Sequence, residues 1–234
     1  MTNKSKAFFS LLIAAVVFSI LPNVPYGNSI QWPFEMLTTY VHELGHGLAA
    51  IAQGGRFLEL QMFQNGGGLA SVSHLHPGWG IAFVSAVGLL SPSIVGGLFI
   101  LGGRSRNVAR LILVSFALLM LLSCLLWIRS TFGLVLIGGM GCLFLLLGMR
   151  TGGGLNQFLV HFFAVHMLMD TLTRTMRYLF TGQVDIGGQI RHSDTANIAN
   201  SLGGGYWMWG SAIAFVALMI FYLSFRYAYL QRRL

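Results

Sequence analysis

The sequence predicts an all-α polytopic membrane protein with about six to seven transmembrane helices and a short membrane-associated β-hairpin. Hydrophobic residues make up 55% of its 234 residues and charged residues only 9%, whereas a soluble domain carries roughly 25% charged residues. A soluble enzyme and a disordered regulator are therefore excluded. The fourteen Lys and Arg stand singly between apolar runs, which is typical of residues that flank membrane spans. We expect a lipid bilayer as partner and no nucleic acid.

Seven apolar runs approach the length of about twenty residues that a helix needs to cross the hydrocarbon layer. They are residues 7–22, 34–53, 79–102, 108–128, 131–149, 156–179 and 206–228. The five Trp lie at or near the ends of these runs, where aromatic rings meet the lipid headgroups. If all seven runs cross the membrane, Lys and Arg divide equally between its two sides, so the sequence leaves the orientation open.

The predicted hairpin covers residues 57–74. Two short runs there flank Asn65 and Gly66, and Asn-Gly between apolar runs favours a tight hairpin turn. A surface loop is the alternative interpretation. Non-helical backbone at membrane depth is tolerated only where it is buried in protein or lines a wet cavity, so a hairpin here predicts a polar cavity nearby.

The clearest chemical signal is the pentapeptide His42-Glu43-Leu44-Gly45-His46 within the run 34–53. On a helix, positions i and i+4 share one face, so both imidazoles can bind one Zn²⁺ ion. Glu43 follows the first ligand and suits a general base that acts on water. A carboxylate inside an apolar helix is also costly, which by itself indicates a functional role.

A catalytic zinc ion usually has three protein ligands, so a third must come from another part of the chain. Asp170, within the run 156–179, is the preferred candidate because it is the second carboxylate inside an apolar helix. His166 lies one turn earlier and could bind the ion or orient another ligand. Asp194 is the third choice because its surroundings in the sequence are polar.

The segment from Thr39 to Gly47 resembles the active-site helix of site-2 proteases, which are intramembrane zinc metalloproteases. The resemblance continues through the hairpin at 57–74 to the small-residue sequence from Gly88 to Ser93. Helix, membrane-associated hairpin and helix follow one another in the same order in that family's core, and the helix with the Asp comes later.

The chain departs from most site-2 proteases at the third ligand. Their Asn-Pro…Leu-Asp-Gly motif is absent, and Asp170 is followed by Thr171. The chain is therefore similar to a divergent compact branch called M-fifty-B-like, whose members carry a bare helical Asp and a later Ser-Asp pair such as Ser193-Asp194. The resemblance implies zinc binding by His42, His46 and Asp170, with Glu43 as the base.

These observations predict a single integral membrane metalloprotease-like domain over residues 1–234. Its expected reaction is hydrolysis of a peptide bond in or near a transmembrane segment of a membrane-anchored protein. A metal-binding scaffold or regulator without proteolysis and a transporter are the alternatives. Short loops and the absence of an organellar transit signature favour a bacterial cytoplasmic (inner) membrane. The sequence leaves the substrate and the oligomeric state open.

Overall fold

The structure, a computed structural model, is a helical bundle that carries two small β-hairpins. It describes residues 3–178 and 181–230, and the side chains of residues 5–169, 171 and 181–230. The helices are α1 (Asn3–Ile20), α2 (Gly27–Ala52), α3 (Trp79–Gly102), α4 (Arg106–Leu126), α5 (Thr131–Arg150), α6 (Gly153–Tyr178), α7 (Asp194–Leu202) and α8 (Tyr206–Phe225). The antiparallel hairpins are β1 (Arg56–Met62) with β2 (Gly68–Ser73), and β3 (Gln183–Ile186) with β4 (Gln189–His192). The predicted all-α polytopic membrane fold is confirmed.

Five helices in the described part of the chain are long and apolar enough to cross a membrane, judged by length and composition. These candidate spans are Ser5–Asn23, Trp79–Gly102, Arg106–Leu126, Thr131–Arg150 and Tyr206–Leu230. The helices α2 and α6 each have 26 residues but are more polar than these five spans. The helix α2, for example, carries His42, Glu43 and His46. The six to seven helices expected from the sequence therefore comprise five apolar helices and two polar ones.

Six helix ends meet at one end of the bundle, around His161 of α6. Its imidazole lies 3.0 Å from the hydroxyl of Ser10 in α1 and 2.8 Å from that of Tyr229 after α8, and Gly103 after α3 packs against its ring. Arg110 of α4 donates a hydrogen bond to the carbonyl of Met149 in α5. We call this region the basic end, because among the described side chains it carries Lys6, Arg104, Arg106, Arg110, Arg150 and Arg226.

The positions of the helix ends show why counting seven full spans divides Lys and Arg equally between the two sides of the membrane. The N-terminus of α1 and the C-terminus of α3 both lie at the basic end, so α1 leads away from it and α3 returns to it. The helix α2 and the hairpin between them therefore add no full crossing. With seven complete spans Lys6 and Arg104 would lie on opposite sides of the membrane, whereas the structure places them around one cavity.

The predicted hairpin at 57–74 is present as β1 and β2, with Leu60 opposite Ala70. Its turn contains Gly66 with a φ of +93°, a conformation that suits a residue without a side chain. The outer edge of β1 is bonded to the α4–α5 connection, because the Leu60 amide donates to the carbonyl of Trp127 and the Arg129 amide donates to Leu60. The hairpin is thereby fixed beside α2.

Candidate metal centre

The two histidines of α2 lie on one face of the helix, as their spacing predicts. Their Nε2 atoms are 3.1 Å apart. The Nδ1 atom of His46 is 3.0 Å from the carbonyl oxygen of Val84 in α3, and because a carbonyl only accepts, Nδ1 carries the proton. Nε2 of a neutral His46 therefore presents its lone pair, which is the form that binds a metal ion.

Asp194, the first residue of α7, completes a triangle with these two imidazoles. Its Oδ2 atom lies 3.1 Å from Nε2 of His42 and 3.3 Å from Nε2 of His46. All three side chains are largely buried, with about a quarter or less of each exposed. Three acceptor atoms so close together repel one another unless a proton or a cation lies among them, so this group could hold a metal ion.

The ionisation state of Asp194 agrees with this arrangement. Burial raises the pKa of its carboxyl group. When no metal ion is bound and the imidazoles are protonated at Nε2, the charge at His46 and the hydrogen bonds from both rings outweigh burial, and the pKa falls below its usual range. The residue also lies in the first turn of α7, where the helix dipole favours a negative charge. Asp194 is therefore an anion under ordinary conditions.

Glu43 is buried beside the first hairpin and is held by it. Its Oε2 atom accepts a hydrogen bond of 2.8 Å from the backbone amide of Ala70 in β2. A Cβ atom at Gly68 would lie only 2.6 Å from Cγ of Glu43, so glycine is what allows the strand to approach. The hydroxyl of Thr39 donates to the carbonyl of Gly66 at 3.0 Å, which ties the turn to α2.

Small residues also bring α3 against the histidines. A Cβ atom on Gly88 would overlap the imidazole of His46, and one on Gly45 would overlap the side chain of Ser91. The α2–α3 contact therefore depends on two glycines. It places Val84 where its carbonyl can orient His46.

Two cavities meet at the histidine–aspartate cluster, with volumes of about 100 Å³ and about 470 Å³. Both are lined by His42, Glu43, Gly68, Val184, Ile186 and Asp194. The smaller is otherwise lined mostly by threonines and apolar groups, namely Thr38, Thr39, Gly67, Leu89, Pro92, Thr171, Ser193 and Thr195. The larger also contains the side chains of Ser85, Arg191, His192 and Asn197. A bound chain could thus extend to both sides of the cluster.

The other residues singled out in the sequence have different positions. The side chain of Asp170 lies outside the described residues, so its predicted role as third ligand stays a prediction. His166 is packed against the aromatic rings of Phe18, Phe34 and Phe162, and it does not belong to the group that could hold a metal ion. His76 stacks on Trp79.

The second hairpin and α7 were not predicted, and they bring Asp194 to the site. The turn of this hairpin is Gly187-Gly188, with φ values of +60° and +82°, and Gly-Gly between two short runs is a recognised signal for such a turn. Gly187 packs against the ring of Phe63 in the first hairpin. The two hairpins therefore meet beside the cluster, and the polar sequence around Asp194 is folded over the site instead of solvated.

The sequence matches one known protein family over most of its length. A family model described as Peptidase M50B-like matches residues 9–224 of the chain. The chain belongs to the Peptidase M50B-like family. The resemblance read from the HELGH helix is thereby confirmed, and membership supports a protease function for this membrane protein. No curated protein and no solved structure matches the chain.

Proposed function

We propose that this protein is an intramembrane zinc endopeptidase that cleaves a membrane-anchored protein in or near a transmembrane segment. The observation that carries the proposal is the cluster of His42, His46 and Asp194 next to the buried carboxylate of Glu43, inside a cavity of a membrane bundle. Membership of a peptidase family gives the reaction class.

The donor set fits a zinc ion. Two ligands about 2.0–2.1 Å from a tetrahedral zinc ion are roughly 3.3–3.4 Å apart, and the three donor atoms here are separated by 3.1, 3.1 and 3.3 Å. Two imidazoles and one carboxylate are also a common ligand set of catalytic zinc sites. We therefore assign Asp194 as the third ligand, in place of Asp170, which the sequence favoured.

The protein's own residues supply the rest of the chemistry. A zinc ion bound here would polarise the scissile carbonyl and increase the acidity of water. Glu43 accepts the proton of the attacking water and passes it to the leaving amine. The amide of Ala70 holds the Glu43 carboxylate in place, and the carbonyl of Val84 keeps His46 in the correct tautomer.

The edge of β2 that faces the larger cavity suits an extended substrate. The backbone amide of Ala70, which donates to Glu43, points away from β1. Gly68, Leu69 and Ala70 line the larger cavity together with the cluster. A peptide added to this edge would be held as a strand by main-chain hydrogen bonds. The substrate helix must unwind first, because its carbonyls otherwise remain bonded within the helix.

The decisive variant is Glu43→Gln. We expect it to retain about one zinc ion per chain while cleavage falls by about 100-fold or more, since general-base catalysis contributes roughly that much. Zinc is measured on detergent-purified protein, and cleavage is measured as new N-termini of membrane proteins in cells that express each variant. Glu59→Gln is the matched control, because Glu59 is on the same hairpin and bonds only to Gln61 and Ser71 among the described contacts.

Zinc-bound protein with no new N-termini in the wild type would favour the scaffold, and metal flux into vesicles without cleavage would favour the transporter. Equal cleavage by the wild type and Glu43→Gln would contradict the proposed mechanism.

A second pair of variants distinguishes the two candidate third ligands. We expect Asp194→Asn to lose zinc, because an amide replaces the only carboxylate in the described cluster. Asp185→Asn is the control, since Asp185 accepts from Gly188 in the turn of the second hairpin and lies outside the described cluster. Zinc loss in Asp170→Asn together with full retention in Asp194→Asn would reverse the assignment.

Metal removal by a chelator should abolish cleavage, and added zinc should restore it.

A further inference from the structure

A second polar cavity lies at the basic end, far from the metal centre. It has a volume of about 450 Å³ and is lined by Lys6, Arg104, Ser105, Arg106, Asn107 and Gln157. Arg104 lies just after the last turn of α3 and twenty residues after Val84. The cavity and the metal centre are therefore roughly 30 Å apart along the helix. The proposed protease function makes no use of this cavity.

The three basic side chains of the cavity converge without an acidic partner. Among the described residues, no Asp or Glu lines the cavity. The guanidinium of Arg104 lies 5.7 Å from the centre of the Tyr227 ring, which is a cation–π contact. The stem of Arg106 packs against Gly153, where a Cβ atom would lie 2.7 Å from Cβ of Arg106. Contacts with neutral groups therefore fix the two arginines, and their mutual repulsion is left uncompensated.

Backbone groups add to the positive potential. The amide of the buried Gln157 donates to the carbonyl of Gly103 at 2.6 Å, which holds the connection between α3 and α4. Ser105 precedes α4, and its side chain does not cap the helix. The first turn of α4 thus offers to the same cavity N–H groups that make no hydrogen bond among the described contacts, together with the positive end of the helix dipole.

We propose that this cavity binds a phosphate group, presented by the headgroup of an anionic lipid. Arginine and a helix N-terminus are the usual phosphate ligands in proteins. The cavity lies where α3 ends and α4 begins, and both are candidate membrane spans, so it is at the depth of the headgroups. Basic pockets between transmembrane helices bind anionic headgroups in this manner. Inorganic phosphate is the other source of the same chemistry.

Binding is tested on the purified full-length protein in neutral detergent. Phosphatidylglycerol, phosphatidylcholine and inorganic phosphate are added separately, and retained lipid is counted by native mass spectrometry while the thermal unfolding midpoint is recorded. We expect phosphatidylglycerol to bind at least tenfold more tightly than phosphatidylcholine. Inorganic phosphate that binds equally well and displaces the lipid would assign the site to soluble phosphate.

The variants locate the site. Arg104→Gln with Arg106→Gln should weaken phosphatidylglycerol binding at least tenfold, whereas Arg56→Gln removes one exposed charge at the opposite end and should leave it unchanged. Arg104→Lys with Arg106→Lys should retain part of the binding because the charge remains. Lys6→Gln alters an exposed side chain and serves if the double variant does not fold. Equal binding of both lipids, or binding unaffected by these changes, would overturn the proposal.

Discussion

At the residue scale, the orientation of His46 depends on one carbonyl and one glycine. The carbonyl of Val84 accepts from Nδ1 at 3.0 Å, and Gly88 leaves room for the ring. Partners that orient a metal ligand in this way typically account for 10- to 100-fold of metal affinity. The metal affinity of the proposed site is therefore expected to depend on α3 as well as on the proposed ligands.

Gly88→Ala is expected to lower zinc affinity by about tenfold or more, because the new Cβ would overlap the imidazole of His46. Competition with a chelator of known affinity measures the change. Gly139→Ala in α5 is the matched control, since nothing lies within 4 Å of its new Cβ, and it should leave zinc affinity unchanged. Unaltered zinc binding by Gly88→Ala would mean that His46 does not bind the ion in the described orientation.

The individual ligands differ in how far the sequence predicts them. His42 and His46 are four residues apart, so helical periodicity alone brings them together. Asp194 lies 152 residues after His42, and no local pattern encodes a contact of that separation. Its polar neighbours indicated solvent, whereas the fold places them over the site. The sequence therefore made Asp194 only the third choice of ligand, and the Ser193-Asp194 pair of the family resemblance was the other pointer to this position.

At the scale of elements, the N-terminus of α7 positions Asp194. The hydroxyl of Ser193 accepts from the amide of Ala196 as the N-cap and donates to the carbonyl of Thr181 at 3.0 Å. One side chain thus joins the start of α7 to the base of the second hairpin. The backbone amide of Ser193 also donates to the carbonyl of Gly182, so the element that carries the proposed third ligand is fixed through both main chain and side chain.

Ser193→Ala should destabilise α7 by about 1 kcal/mol, the usual cost of losing an N-cap, and should weaken zinc binding because Asp194 loses its fixed position. Thermal unfolding with and without added zinc measures both effects. Ser211→Ala is the control, because Ser211 is exposed on α8 and its hydroxyl bonds only to the carbonyl of Trp207 among the described contacts. Equal zinc affinity in the wild type and Ser193→Ala would show that α7 is held by other contacts.

Apolar runs predicted the long helices, and Asn65-Gly66 predicted the first hairpin. The second hairpin was missed because its strands have only four residues each and show no run of apolar residues. The observed α2 begins at Gly27, seven residues before the predicted run, since its first turns are polar and hydropathy does not detect them. Hydropathy therefore detects the long apolar helices but not the polar segments that pack against other parts of the protein.

At the scale of the whole molecule, the two ends of the bundle differ in charge. Among the residues whose side chains the structure describes, six Lys and Arg lie at the basic end, whereas three, Arg56, Arg129 and Arg191, lie at the end of the metal centre. Loops rich in Lys and Arg remain in the cytoplasm. This asymmetry predicts that the N-terminus is cytoplasmic and that the metal centre lies nearer the opposite face.

Cysteine labelling tests this orientation in a variant without Cys124 and Cys142. Ile190→Cys on β4, where the side chain is 75% exposed, should react with a membrane-impermeant maleimide in intact cells. Gly152→Cys at the basic end has open space for a side chain and should react only after lysis. The reverse pattern would place the metal centre on the cytoplasmic side.

The separation of 152 residues between His42 and Asp194 has a consequence for biosynthesis. The helix with both histidines is made early, whereas the aspartate emerges only with α7, after the six helices α1 to α6. Under the proposed function, a nascent chain that has not yet reached α7 lacks the third ligand, so it can insert beside other membrane proteins without attacking them. A ribosome that stalls before residue 194 would therefore release an inert product.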